Sequence, residues 1–261
     1  MGGDDLGEDP WLQDVVADSD DSEEEDATVE VKKRKNEDIS EEQPTGKRRK
    51  SPEQLIAEAG RGIEEQSAEE QATLITTVVK HNSISSLENP IAVDNISFAG
   101  GSFVKAPNEG CYADRLRPLL SMKKLRRWNH SQSPCVVIVC LSARRAVEIL
   151  KELTSLKCRI AKLFPKNGSV EQQAKELQSF QFPIVIGTPH RLAALSGCNG
   201  YGSYQSLKFN KTMLLVIDSY VSNKMYSVIS LPDTAPDCAS LLRDAVHPQL
   251  KQRQDLKIAF I

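Results

Sequence analysis

Five short apolar runs in the second half of this 261-residue chain constrain its fold more than any other feature. They are CVVIVC (135–140), RIAKLF (159–164), FPIVIG (182–187), TMLLVID (212–218) and LKIAFI (256–261). Each has the length of a strand. Most are apolar at consecutive positions, which is the pattern of a strand covered on both faces. SARRAVEILKELTS (142–155), SVEQQAKELQSF (169–180) and PHRLAALSG (189–197) lie between them and read as helices. This alternation predicts an α/β fold with a doubly wound, mostly parallel sheet. Right-handed crossovers then bring the carboxyl ends of the strands to one edge, where function is expected.

The first half is built differently. Residues 1–26 hold 12 Asp or Glu and no Lys or Arg, whereas residues 101–261 hold 23 Lys or Arg against 11 Asp or Glu. The overall charge of −3 therefore hides an acidic tail on a basic domain, and a basic domain points to a polyanionic partner, with the tail as that partner's intramolecular competitor. Residues 1–50 have too few large apolar side chains to offset the entropy of ordering, so a disordered tail is expected. In DSDDSEEED, Ser19 and Ser22 sit among acids and suit an acid-directed kinase. Two basic blocks follow, Lys32, Lys33, Arg34 and Lys35, then Lys47, Arg48, Arg49 and Lys50, with an 11-residue polar spacer between them. Two such blocks on a flexible spacer fit two acidic sites on one nuclear import receptor, the second block being favoured by its effective concentration. Residues 51–94 read as a helical arm and linker, rich in Ala, Glu and Gln over 52–80, and residues 95–261 as the α/β domain.

Several classes are not expected. No run of about 18 apolar residues is present, so no membrane span is predicted. MGGDDLGEDPWLQD lacks the apolar stretch of a secretory signal. The six cysteines (111, 135, 140, 158, 198 and 238) form no Cys-x-x-Cys, which points to reduced thiols and to no metal site.

Two strand ends carry the candidate site. Ser142 is placed to cap the helix after 135–140, and Arg144 and Arg145 fall in its first turn, where cations oppose the helix dipole unless a polyanion lies nearby. In VIGTPHRL, Thr188 is a candidate cap, Pro189 suits the first helical position, Arg191 follows and Gly197 can close the helix. Two helix N-termini with arginines suit a grip on the phosphates of single-stranded RNA by Ser142, Arg144, Arg145, Thr188, Pro189 and Arg191. Trp128 reads as filling the core edge, His190 as facing solvent, and GCNGYGSYQS (197–206) as a surface loop.

These residues also carry a resemblance. GTPHRL (187–192) resembles the Thr-Pro-Gly-Arg motif of DEAD-box RNA helicases, a backbone-gripping element of their first RecA-like domain. CLSARRAVEIL (140–150) stands where those proteins carry Pro-Thr-Arg-Glu-Leu-Ala, LFPKNGSVEQQAKELQ (163–178) resembles their Gly-Gly region, and LLVIDSYV (214–221) takes the place of Val-Leu-Asp-Glu-Ala-Asp. Order and spacing agree over about 104–261. The resemblance implies a single RecA-like domain of the P-loop NTPase type, but the charges of phosphoryl transfer are missing. APNEGCYA (106–113) lies where the phosphate loop would be, with Tyr112 for its Lys and Ala113 for the Mg²⁺-binding hydroxyl. Only Asp218 survives of the Asp-Glu-Ala-Asp element, and Ser219 stands for its Glu. Losing these groups together removes the mechanism, so no cofactor and no enzymatic activity are expected. The sequence ends after KIAFI, so no second RecA-like domain is expected either.

A truncated helicase-like domain behind an acidic and basic tail is similar to the CMS-one family. That resemblance implies a factor of small-subunit ribosome biogenesis in the nucleus and nucleolus, with pre-ribosomal RNA and small-subunit processome proteins as partners and no membrane. Two other readings compete with it. One is a protein-docking module whose helices 52–80 and 238–247 bind neighbours. The other is a weak ATPase, for which Lys105 is the nearest candidate lysine.

Overall fold

A computed structural model describes residues 51–83, 95–198 and 204–261. The tail with its basic blocks and candidate phosphorylation sites, the 84–94 linker and the 199–203 tip of the Gly-rich loop lie outside the described residues. The strands are β1 (Val136–Val139), β2 (Ile160–Leu163), β3 (Ile184–Gly187), β4 (Leu214–Ile217) and β5 (Lys257–Phe260). They pair in the order β2-β3-β1-β4-β5, and every pair is parallel. The register aligns Val136, Ile160, Ile184, Leu214 and Lys257, so all five strands start at one level and finish at one level. Phe103 adds an isolated parallel bridge to Ile258 beyond β5.

The helices are α1 (Pro52–Ala59), α2 (Ala68–Ser83), α3 (Tyr112–Leu116), α4 (Met122–Arg126), α5 (Ala143–Leu153), α6 (Val170–Ser179), α7 (Pro189–Ser196), α8 (Ala235–Ser240) and α9 (His247–Gln252). Alternate residues of each strand supply two cores. Val137, Val139, Val185, Leu215 and Ile217 meet α2, α6, α7 and α8 on one face. Val136, Ile138, Ile184, Ile186, Leu214 and Val216 meet α3, α4 and α5 on the other. This double covering is the reason the runs are apolar at consecutive positions. At about 25 cal/mol per Å², burying one such Ile or Val contributes about 1.5–3 kcal/mol.

The predicted arm departs from expectation. Ala72, Ile75, Val78 and Val79 of α2 are buried in the same core as β1 and β4, and α2 packs against α8. The stripe at i, i+3, i+6 and i+7 is narrow but complete, and it makes α2 part of the domain rather than an appendage. The described residues belong to one compact unit. The docking reading needs helices 52–80 and 238–247 for neighbours, but apart from the exposed Leu55 their large apolar side chains are buried in the domain's own core. Between α8 and α9, Leu241–Val246 widens into π-helical turns. Pro248, second in α9, has no N–H to return to the preceding turn, and the wider turns accommodate that loss.

Candidate functional site

The fold itself marks a crevice. The helix after β1, α5, lies on one face, and the helix after β4, α8, lies on the other, while β1 and β4 are neighbours. Open α/β sheets take ligands where such neighbouring connections diverge, at the carboxyl ends of the strands. Here that position is occupied by the chain's own side chains. Arg145 donates from Nε to Oδ2 of Asp218 at 2.9 Å and from Nη2 to Oδ1 at 3.0 Å. The Asp218 side chain is 1% exposed and that of Arg145 20%. Glu148 approaches Nη1 of Arg145 at 3.4 Å. The guanidinium carbon lies 5.0 Å from the centre of the Tyr220 ring, which is itself exposed. Burial holds the Asp218 carboxyl above its ordinary range, opposed by the hydrogen bonds and charge of Arg145.

Tyr112 closes the crevice from beneath. Tyr112 is 3% exposed and its hydroxyl has no hydrogen-bond partner among the described residues. Burial raises its pKa well above the usual phenol value, and the nearby charge of Asp218 adds to the rise. The segment 106–111 leads from the region of the isolated Phe103 bridge into α3. The first N–H of α3, that of Tyr112, is taken at 2.6 Å by Glu152 Oε2, so an anion from the chain's own α5 satisfies it.

The six sequence-predicted residues follow β1 and β3 at the carboxyl edge, in different situations. Ser142 caps α5 as expected, its Oγ accepting from Arg145 N–H at 3.2 Å. Arg144 is exposed, 3.6 Å from Glu148. Pro189 holds the first position of α7, buried, and Gly197 ends that helix at φ 73°. Thr188 makes no side-chain cap hydrogen bond. Its N–H donates instead to Leu163 O at 3.2 Å. That close approach depends on Gly187, where an added Cβ would stand 2.5 Å from Leu163 O.

Two of the arginines need correction. Arg191 does not face a ligand: it is 7% exposed, and its Nη1 donates to Gly168 O at 2.9 Å and Gln173 Oε1 at 3.0 Å. Gln173, fully buried, donates in turn to Lys162 O and Phe164 O. Arg191 thus ties the 164–169 loop to α7, and burial lowers its pKa. Arg145 is likewise committed, to Asp218. The expected pair of arginine-lined helix starts is therefore one exposed arginine, already beside a carboxylate. His190 is exposed as expected, and its Nδ1 also meets Asp237 Oδ2 at 3.1 Å. Trp128 is half-buried at the core edge, donating from Nε1 to Ser133 O at 2.9 Å.

The Arg145–Asp218 pair escaped the sequence reading, and so did the Arg191–Gln173 tie. The one available signal was the buried position of Asp218 at the end of an apolar strand, where a carboxylate needs a cation. Among the described residues no group of three His, Cys, Asp or Glu is placed to hold a metal ion, and all six cysteines are unpaired.

Known proteins share this chain's features over limited stretches. Protein CMSS1 of Danio rerio is 33% identical over 118 residues, 43% of this chain and 38% of the relative. Protein CMSS1 of Homo sapiens is 31% identical over 128 residues, 47% of this chain and 43% of the relative. Protein cms1 of Schizosaccharomyces pombe is 32% identical over 69 residues, a quarter of each chain. The matched stretches span less than half of the length of these relatives. A family model, by contrast, runs through nearly the whole sequence, from the acidic tail to the last strand. It matches residues 16–261, and the chain belongs to the family it describes, CMS1: U3-containing 90S pre-ribosomal complex subunit.

Proposed function

We propose that the chain is a non-catalytic RNA-binding factor of the small-subunit pre-ribosome, acting in pre-rRNA processing in the nucleolus, with a helicase-like domain used as a binding body. One observation carries the non-catalytic part. The switch-point crevice, where a sheet of this kind holds its ligand, is filled by the bidentate Arg145–Asp218 pair under Tyr220 and above Tyr112. Phosphoryl transfer relies on positive charge and a metal held at that edge. Here the surviving aspartate is neutralised by an arginine, and the first turn of α3 offers Tyr112 and Ala113. Membership of a pre-ribosomal family and the cationic surplus of residues 101–261 support the RNA part. Entry to the nucleus rests, in this reading, on the two basic blocks and an import receptor.

The test pairs two measurements on the full chain. Tagged protein should sediment with 90S particles in a gradient and leave them after ribonuclease treatment, and the pure protein should show no Mg²⁺-dependent ATP turnover above buffer. Turnover that Asp218→Ala abolishes would overturn the non-catalytic reading. Retention on ribonuclease-treated particles would overturn direct RNA binding in favour of protein docking.

A further inference from the structure

The cationic surplus does not gather where the helix starts are. At the carboxyl edge Arg145 and Arg191 are bound internally and Arg144 sits beside Glu148. The opposite edge, where all five strands begin at one level, is different. Lys123, Lys124, Arg126 and Arg127, in and just after α4, lead into β1 and are all exposed. Lys157 and Arg159 precede β2, Lys208 and Lys211 precede β4, and these four are exposed too. None of the eight is in an ion pair among the described residues.

The lead-in segments are fastened together. Lys208 N–H donates to Gln132 O at 2.7 Å and Lys211 N–H to Ser133 Oγ at 2.9 Å. Helix α4 bridges the edge, Arg126 lying near Cys158 before β2 and Lys124 near Asp255 before β5. The carboxylate that leads into β5 is engaged. Asp255, before β5, is held by Arg253 at 3.0 and 2.8 Å. Glu176 lies one turn before the end of α6.

Aromatic rings stand among the cations. Phe180, before β3, is 41% exposed and packs edge-on against Phe182, with ring centres 6.3 Å apart. One strand over, Trp128 meets His130 edge-on at 5.0 Å. Five strands about 4.8 Å apart make this edge about 19 Å wide, enough for several nucleotides.

We propose that the amino edge of the sheet, with Lys123, Lys124, Arg126, Arg127, Lys157, Arg159, Lys208 and Lys211 around Phe180, is a binding surface for RNA. It rests on the RNA-binding reading above and assigns that reading a place. Cations following the backbone and an exposed ring for a base are the two parts of single-strand recognition. An acidic protein, or the chain's own residues 1–26, would answer the charge but has no bases to stack on the ring.

The test is fluorescence anisotropy of a labelled oligouridine with the full chain over a salt series. The triple variant Lys124→Ala, Arg126→Ala, Lys211→Ala should lower the salt slope by about 2, at about 0.7 per phosphate. Phe180→Ala should weaken binding about tenfold with the slope unchanged, as loss of one stacked base does. Lys166→Ala with Lys224→Ala, at the carboxyl edge, should change neither. Thermal melts confirm folding of each variant. A parent that binds RNA while the triple variant binds it equally well overturns this surface but not the RNA reading. A parent that binds no RNA overturns both. Loss of polyglutamate binding in the triple variant with RNA binding intact assigns the edge to an acidic protein and overturns the proposal.

Discussion

Replacing Arg145 by Ala tests the crevice most directly. The change leaves the Asp218 carboxylate, 1% exposed, without its two guanidinium hydrogen bonds at 2.9 and 3.0 Å. Removing one partner of a buried pair costs about 3–5 kcal/mol, because the other charge stays buried. For a domain of this size that is a fall in Tm of about 10 °C. The pH dependence identifies the cause. The Asp218 carboxyl is already held above 3.8 by burial, and Arg145 opposes that rise. Without Arg145 its folded-state pKa climbs further. A carboxyl with a raised folded pKa binds a proton more readily folded than unfolded, so stability increases as pH falls through the folded pKa and levels off below 3.8. The deficit of Arg145→Ala relative to the parent should therefore shrink on acidification. Arg145→Ala with Asp218→Ala should lose less than the single change, since no orphaned charge remains. Urea unfolding at pH 7 and pH 5 measures all three. A single variant within about 1 kcal/mol of the parent, or a deficit independent of pH, refutes the buried-pair account.

Other outcomes follow from single residues. Arg191→Ala should cost about 2–3 kcal/mol by urea unfolding, because Gln173 and the Gly168 carbonyl lose a charged donor, while oligouridine affinity stays unchanged. Tyr112→Phe removes a buried hydroxyl that has no partner and should be neutral or stabilising by about 1 kcal/mol in the same assay. His247 is buried beside Phe98 and Ser97 O, and burial lowers its pKa below 6.5. The unfolded chain then takes the proton first, so stability is lost as pH falls from 6.5 toward the folded pKa, and His247→Gln should flatten that loss in a melt series. Replacing both basic blocks, 32–35 and 47–50, by alanine should leave a tagged protein in the cytoplasm, and either block alone should give a partial defect visible by microscopy.

The sheet and its windings were legible in the sequence because their causes are local. VVIV, IVIG and LLVI are apolar at successive positions, and that alone requires a cover on both faces. Ser142, Ser169 and Gly197 mark helix limits through bonds within a few residues, and the structure has the three helices where those residues place them. The helical character of 52–80 was legible too, from its Ala, Glu and Gln, but the destination of α2 against α8 was not.

The site depended on where long side chains turn, and no local rule decides that. Arg145 sits three residues after its cap, yet its guanidinium finds Asp218, 73 residues away, because β1 and β4 are neighbours in the sheet. Arg191 turns inward to Gln173 across the β2–α6 connection for the same kind of reason. The basic edge is the clearest case. Lys124, Arg159 and Lys211 belong to segments far apart in the chain, and only the common register of the strands sets their lead-ins side by side. Composition determined that a surplus of positive charge existed. Tertiary structure decided its location, because Arg145 and Arg191 at the carboxyl edge met a buried carboxylate, an amide and a carbonyl, whereas the cations at the amino edge stayed exposed.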